Sequence, residues 1–205
     1  MQNNLFIKKL NIQVNITDNI LKTQYEMDLP YWVYQDYFIF KPEFNGSVDE
    51  YVNIIIDYKK LIFSNYPDLD SSIQIINGKI PNNRYIGSNF SQPLTNSLIQ
   101  LINLTNIIFG HYFNKPLANS LDKLINLTHL TFGFTFNQPL ANSFDKLTNL
   151  IKITFGFNFN QPIADSFDKL TNLTQITFGC RFNQLPRKFL QNFLELHKIN
   201  LCLFY

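Results

Sequence analysis

The chain has 205 residues, of which 45% are hydrophobic and 16% are charged, and its formal net charge is +2. This composition indicates a globular protein with a sizeable core and excludes a disordered chain. The small net charge favours neither nucleic acid nor a membrane surface, and no apolar run approaches the ~18 residues of a membrane-spanning helix. The first residues lack the apolar stretch of a signal peptide, so we expect a cytoplasmic protein.

Residues 1–83 carry scattered signals of a mixed α+β region. Residues 10–16 alternate apolar and polar side chains, and residues 72–76 form another short apolar segment, which predicts two strands. Ser47-Val-Asp-Glu50 is a capping box in front of an apolar run from Val52 to Phe63. This pattern predicts a helix.

A 23-residue repeat organises the sequence between positions 84 and 205. Its anchor is a phenylalanine, two polar residues and a proline, as in Phe136-Asn137-Gln138-Pro139, and the anchor phenylalanines fall at 90, 113, 136, 159 and 182. The copies that begin at Phe136 and Phe159 differ at six positions and agree at the other 17 of 23. A fixed period of this length is typical of a solenoid with about five coils here. The last copy is more charged, as expected of a capping repeat, and we expect residues 1–83 to cap the other end.

Within each copy, apolar residues follow the pattern of a leucine-rich repeat, as in Leu150, Ile153 and Phe155. We therefore predict an α/β repeat fold with a parallel β-sheet on the concave face. Gly156 and its equivalents end the strand, where we expect a sharp turn. The Asn-Ser-Phe-Asp-Lys-Leu segment predicts short helical or 3₁₀ turns on the other face.

Two columns of repeated residues have a structural interpretation. Phenylalanines at the strand ends should stack as a ladder, and a polar column at the following turn should satisfy backbone groups of adjacent coils. These structural ladders are Phe132, Phe155 and Phe178, and Asn114, Asn137, Asn160 and Asn183.

The Phe-Asn-x-Pro anchor, with the trailing Leu-Thr-x-Leu/Ile-x-Phe-Gly, resembles the FNIP repeat, a leucine-rich-repeat relative found mainly in social amoebae and giant DNA viruses. The resemblance covers roughly residues 84–202. It implies an interaction module, often placed behind an F-box that recruits the Skp1–cullin ubiquitin ligase. If the protein is viral, its compartment would be the host cytoplasm.

The F-box half of that pairing has weak support in this sequence. The only candidate opening is Leu29-Pro30-Tyr31-Trp32-Val33, which lacks the acidic residue of an F-box, and no later match completes it. A ubiquitin-ligase receptor with a diverged F-box-like segment, and Skp1 and cullin as partners, remains the alternative to a simple interaction module.

Differences between the two closest copies concentrate in the strand and its end, at Ile151/Thr174, Lys152/Gln175, Phe157/Cys180 and Asn158/Arg181. A fixed scaffold that presents a changeable surface would vary in this way, although drift at exposed positions would give a similar pattern. We predict that another protein binds there. The predicted partner-binding residues, on the concave face and its rim, are Asn106, His129, Lys152, Gln175, Lys198, Thr131, Thr154, Thr177, Tyr112, Phe134, Phe157 and Arg181.

No pattern indicates catalysis, a cofactor or a metal site. His111, His129 and His197 have no second ligand at metal spacing, and Cys180 and Cys202 fall on non-equivalent repeat positions. We therefore expect a protein that is not an enzyme. An enzyme would need an open pocket with a perturbed carboxylate or histidine in the N-terminal region, before the repeats begin.

Overall fold

The computed structural model describes residues 29–65, 88–94, 96–117, 119–184 and 198–201, the last four as backbone only. A 3₁₀ turn at Val48–Tyr51 and a short helix α1 at Val52–Ile55 are the helical elements of these ranges. The strands are β1 Tyr31–Tyr34, β2 Tyr37–Phe40, β3 Lys60–Phe63, β4 Asn106–Ile108, β5 His129–Thr131, β6 Lys152–Thr154, β7 Gln175–Phe178 and β8 Lys198–Leu201.

All of these strands form one sheet in sequence order, parallel from β2 to β8, with β1 antiparallel to β2 at one edge. The register follows the repeat, because His129 pairs with Lys152, one repeat period further along the chain. Tyr37 pairs with Lys60 at the same spacing, so β2 and β3 belong to the same stack of coils. The molecule is a parallel-sheet solenoid of the leucine-rich-repeat type.

The sheet runs across the boundary that the sequence placed before residue 84. Lys60 pairs directly with Asn106, so β3 takes the place next to β4 in the sheet. Two repeat periods of chain separate these neighbouring strands, whereas one period separates the other parallel neighbours. The role of residues 1–83 as a cap stays a prediction.

The predicted helix from Val52 to Phe63 is wrong in its second half. Ser47 does accept a hydrogen bond from the backbone N–H of Asp49, at 3.2 Å, but the helix ends at Ile55 and the run continues as β3. Leu61 and Phe63 are buried against the repeats, which favours a strand for an apolar run of this length. The strands predicted at residues 10–16 and 72–76, and residues 187–197 of the capping repeat, lie outside the described residues.

Opposite the strands, each coil is made of single hydrogen-bonded turns. The N–H of Leu147 donates to the carbonyl of Phe144, and that of Leu150 to the carbonyl of Leu147, both at 2.9 Å. This i to i+3 spacing is that of a 3₁₀ helix, but the described repeat residues form turns without a helix. Asn142, with φ of 58°, has the left-handed backbone that asparagine tolerates in such turns.

Stacked phenylalanine rings fill the core from one coil to the next. The ring centroid of Phe155 lies 5.4 Å from those of both Phe132 and Phe178, and all three side chains are at most 3% exposed. The column continues through Phe63, whose ring lies 5.7 Å from Phe109. The ladder therefore ties β3 into the same core as the sequence repeats.

Candidate functional site

The outward side of the sheet forms the first candidate surface, which we call the strand face. Each of its side chains is half-buried, whereas the residue between them on each strand, such as Leu130 or Ile153, is buried. This alternation is that of a sheet with one face on the core. The strand face comprises Asn106, Ile108, His129, Thr131, Lys152, Thr154, Gln175 and Thr177. The backbone of Lys198 on β8 pairs with Gln175, so Lys198 occupies the next position in the row of register partners that begins at Asn106.

His129 lies in a positive environment at the centre of the strand face. Lys152 is its register partner on β6, and Asn106 is its partner on β4. The pKa of His129 is lowered by burial, then by the charges of Lys152 and Lys60. The Thr128 hydroxyl lies 2.9 Å from its Nδ1. The imidazole is therefore mainly neutral near pH 7.

Lys60 of β3 lies beside the strand face, next to Asn106, and differs from Lys152 in its partners. Lys60 donates a hydrogen bond to the Tyr37 hydroxyl at 2.8 Å and pairs with Asp36 at 3.3 Å. Burial lowers the pKa of Lys60, but these two partners outweigh it and raise the pKa overall. Lys152 has no ion-pair partner among the described residues. The charge of Lys152 therefore stays available to a ligand.

A second surface, which we call the rim, lies where the strands end. It consists of His111, Tyr112, Phe134, Phe157 and Arg181. The ring centroid of Phe134 lies 5.0 Å from that of His111 and 4.8 Å from that of Phe157, both nearly parallel. Arg181 lies over the Phe157 ring at 5.2 Å and donates a hydrogen bond to the Asn158 side chain at 3.0 Å. Tyr112, Phe134 and Phe157 remain 49%, 42% and 36% exposed.

Asparagine side chains of the predicted polar column bond to the next coil. Asn137 Oδ1 accepts from the backbone N–H of Asn160, and Asn160 Oδ1 from that of Asn183, both at 2.9 Å. Asn114 Oδ1 likewise accepts a hydrogen bond from the backbone N–H of Asn137. Gln161 adds a side-chain bond to Asn137 Oδ1 at 3.1 Å. These amides are thus engaged within the scaffold.

A groove along the strand starts was not predicted from the sequence. It has a volume of about 840 Å³ and is lined by Asp57, Lys59, Asn103, Thr105, Asn126, Thr128, Asn149, Ile151, Asn172 and Thr174. Asn149 and Asn172 donate from Nδ2 to carbonyls of the preceding coil, at 2.8 and 2.9 Å. The available signal was an asparagine repeated three residues before each of the strands β4 to β7.

Carboxylates are confined to the other side of the repeats. Between residues 88 and 184, the acidic residues of the described chain are Asp122, Asp145, Asp165 and Asp168, all in the turns opposite the sheet. Lys169 pairs with Asp145 there. Among the described residues, the strand face and the rim carry no acidic side chain, and the neighbouring Asp36 is paired with Lys60, so the charge of the strand face and the rim is positive.

The described residues hold no group of three or more His, Cys, Asp or Glu placed to bind a metal ion. They also contain no helix with the length and apolar character needed to cross a bilayer.

Comparison with protein-family models finds no match, and neither does comparison with curated proteins. Among solved structures, the chain is similar to internalin C2 of Listeria monocytogenes, with 14% identity, a TM-score of 0.48, and coverage of 73% of this chain and 54% of that one. It is also similar to an internalin (InlF) of the same organism, with 15% identity, a TM-score of 0.44, and coverage of 80% and 52%.

A third similar structure is CroV588, described as a circular leucine-rich-repeat protein, with 20% identity, a TM-score of 0.33, and coverage of 84% and 31%. The chain thus spans about half or less of the length of these proteins. At these identities, what the protein binds has to be inferred from its own residues.

Proposed function

We propose that the protein is a non-catalytic protein-interaction module that binds its partner with the strand face and the rim. The observation that carries this proposal is where the two closest repeats differ. Lys152 on the strand face corresponds to Gln175 in the next repeat, and Phe157 in the rim corresponds to Cys180, while the buried positions hardly change. A scaffold with one changeable surface is how repeat proteins recognise partners.

The chemistry of the rim supports the same proposal. Exposed aromatic rings and arginine are enriched at protein interfaces and are common anchors of binding energy. Phe134 and Phe157 form a continuous apolar strip beside polar strand-face residues. Five strands at ~4.8 Å spacing span only ~20 Å, which suits a loop or a short extended segment.

Affinity capture from a lysate of the source organism, read by mass spectrometry, tests the proposal. The wild type is compared with a strand-face variant (His129→Glu, Lys152→Glu and Gln175→Glu) and with a control variant on the turns (Lys123→Glu and Lys146→Glu). We expect a partner that the wild type and the control retain and the strand-face variant loses. Identical captures by all three, with equal thermal stability, would exclude the strand face as the binding surface.

The alternative function is a substrate receptor of a Skp1–cullin ubiquitin ligase, supported by the resemblance of the repeat to FNIP repeats. Leu29 and Pro30 directly precede β1, whose Tyr31 is 8% exposed in the repeat core. A diverged recruiting segment would therefore have to include residues before this strand. Binding of purified Skp1 to the full chain is the test, and failure to bind would exclude this alternative.

A further inference from the structure

We infer that the partner segment held by the strand face and the rim is acidic: an extended stretch of protein rich in Asp and Glu, with an aromatic or aliphatic side chain against the rim. This inference rests on the proposed function and specifies the chemistry of the partner.

The separation of charge between the two sides of the coils is the first support. In the described chain, the strand face and the rim hold Lys152 and Arg181 and no carboxylate, whereas the acids of the repeats lie in the turns. Neither cation has an ion-pair partner among the described residues. An acidic segment would gain attraction to both, and a basic one would meet uncompensated positive charge.

The aromatic strip supplies an independent argument, because its ring faces are largely covered. His111, Phe134 and Phe157 stack with interplanar angles of 8° and 2°, and Arg181 covers the last ring. A partner can therefore reach mainly ring edges. Ring edges carry the positive part of the aromatic quadrupole, so they favour carboxylate and carbonyl oxygens.

The same geometry disfavours single-stranded nucleic acid on this surface. Bases bind proteins by stacking on open ring faces, and Phe134 has a ring on each side. Nucleic-acid binding also relies on several phosphate contacts, whereas, among the side chains that the structure describes, Lys152 and Arg181 are the cations of this surface without a carboxylate partner. Lys60 is already paired with Asp36.

Selection of random 12-residue peptides by display on the full chain tests the inference. We expect enriched peptides with several Asp or Glu residues and at least one aromatic or aliphatic residue. For one such peptide, Lys152→Glu should weaken binding by about tenfold or more, because a charge reversal costs at least ~1.4 kcal/mol at such a contact. Phe157→Ala should weaken it as well, and added salt should weaken it in the wild type.

Matched variants on the turn side serve as controls. Lys146→Glu makes the same charge change at an exposed site, and Ile125→Ala removes an apolar side chain that is 54% exposed. Neither variant should alter peptide affinity by more than about twofold, since neither residue lies on the strand face or the rim. Equal melting temperatures of all variants would show that folding is intact.

Each remaining outcome overturns the inference in a distinguishable way. Neutral or basic peptides that depend on Lys152 and Phe157 would contradict an acidic segment and leave the proposed function standing. Enriched peptides whose affinity neither substitution changes, or the absence of any enrichment, would also contradict the inference. The capture from a lysate would then decide whether the proposed function holds. Tighter and Lys152-dependent binding of a random 12-nucleotide single strand would replace the acidic segment by nucleic acid.

Discussion

A Cβ atom on Gly156 would stand 1.9 Å from the carbonyl oxygen of Gly133, one coil earlier. The same relation holds between Gly133 and Gly110, and at 2.0 Å between Gly179 and Gly156. None of these glycines has the positive φ that would require glycine for a turn. The sequence interpretation of a sharp turn was therefore wrong in its cause: glycine is needed because the coils approach each other closely here.

Gly156→Ala should destabilise the protein by at least ~1–3 kcal/mol, because the backbone atoms it would meet cannot move aside without separating two coils. Urea unfolding followed by circular dichroism measures this. Gly46→Ala is the control, since its Cβ would meet only the Phe44 side chain, at 3.1 Å. Equal stability of Gly156→Ala and wild type would contradict the stacking of coils at this column.

Phe155→Ala should cost ~3–5 kcal/mol of stability, because Phe155 is 2% exposed and stacks between two other rings. Phe157→Ala, two residues on, removes the same side chain from the rim. Its cost should stay near ~1 kcal/mol, the value of an exposed aromatic pair. Unfolding curves of the two variants check the difference. A larger loss of stability for Phe157→Ala would mean that Phe157, and not Phe155, faces the core.

Asn137→Ala should destabilise the solenoid by ~1–3 kcal/mol, because it leaves the backbone N–H of Asn160 without its acceptor and the Gln161 amide with only the backbone carbonyl of residue 137. Asn137→Asp keeps an acceptor oxygen in the same position and should lose less. Thermal or urea unfolding of both variants measures the comparison. If Asp is as damaging as Ala, hydrogen bonding by the side-chain oxygen is not what this column contributes.

His129 predicts a pH dependence of stability. Burial, Lys152 and Lys60 lower its pKa below the ordinary 6.5, so the unfolded chain takes up a proton at higher pH than the folded chain does. The contribution of His129 to the stability of the folded state is therefore fully present above pH ~6.5. It is lost as the pH falls from there through the pKa of the folded state, and below that pKa the stability no longer changes because of this residue. Urea unfolding across this range should show a smaller loss for His129→Gln than for the wild type.

Lys152→Gln should raise the pKa of His129 towards its ordinary value, since it removes one of the two positive charges that lower it. Nuclear magnetic resonance titration of the imidazole measures this directly. Lys146→Gln, on the turns, is the control and should leave the titration unchanged. An unchanged His129 pKa in Lys152→Gln would contradict the proximity of the two side chains on the strand face.

Strands β4 to β8 follow from the sequence because the repeat period and the Leu-x-x-Ile-x-Phe pattern recur together. β2 and β3 were missed because their two coils lack the complete Phe-Asn-x-Pro anchor. The spacing was present nonetheless: Phe40 and Phe63 lie one repeat period apart, and Phe63 and Phe109 lie two periods apart. A search by spacing of aromatic residues, without the anchor, would have found them.

The candidate site was predictable in part for a similar reason. Strand alternation puts Lys152 and Thr154 on the outward face whatever the partner strand is. The stacking of His111 on Phe134 depends on how adjacent coils are offset, which no single repeat encodes. The groove at the strand starts likewise depends on Asn149 turning its amide to the preceding coil. Such contacts between coils become visible only in three dimensions.

The most direct test of partner binding at the strand face is site-specific photo-crosslinking. A photoreactive phenylalanine analogue replaces Thr154 on the strand face in one variant and Thr148 on the turns in another. After irradiation with the captured partner, we expect a crosslinked product from position 154 and none from position 148. Crosslinking from position 148 alone would contradict the account and place the partner on the turns.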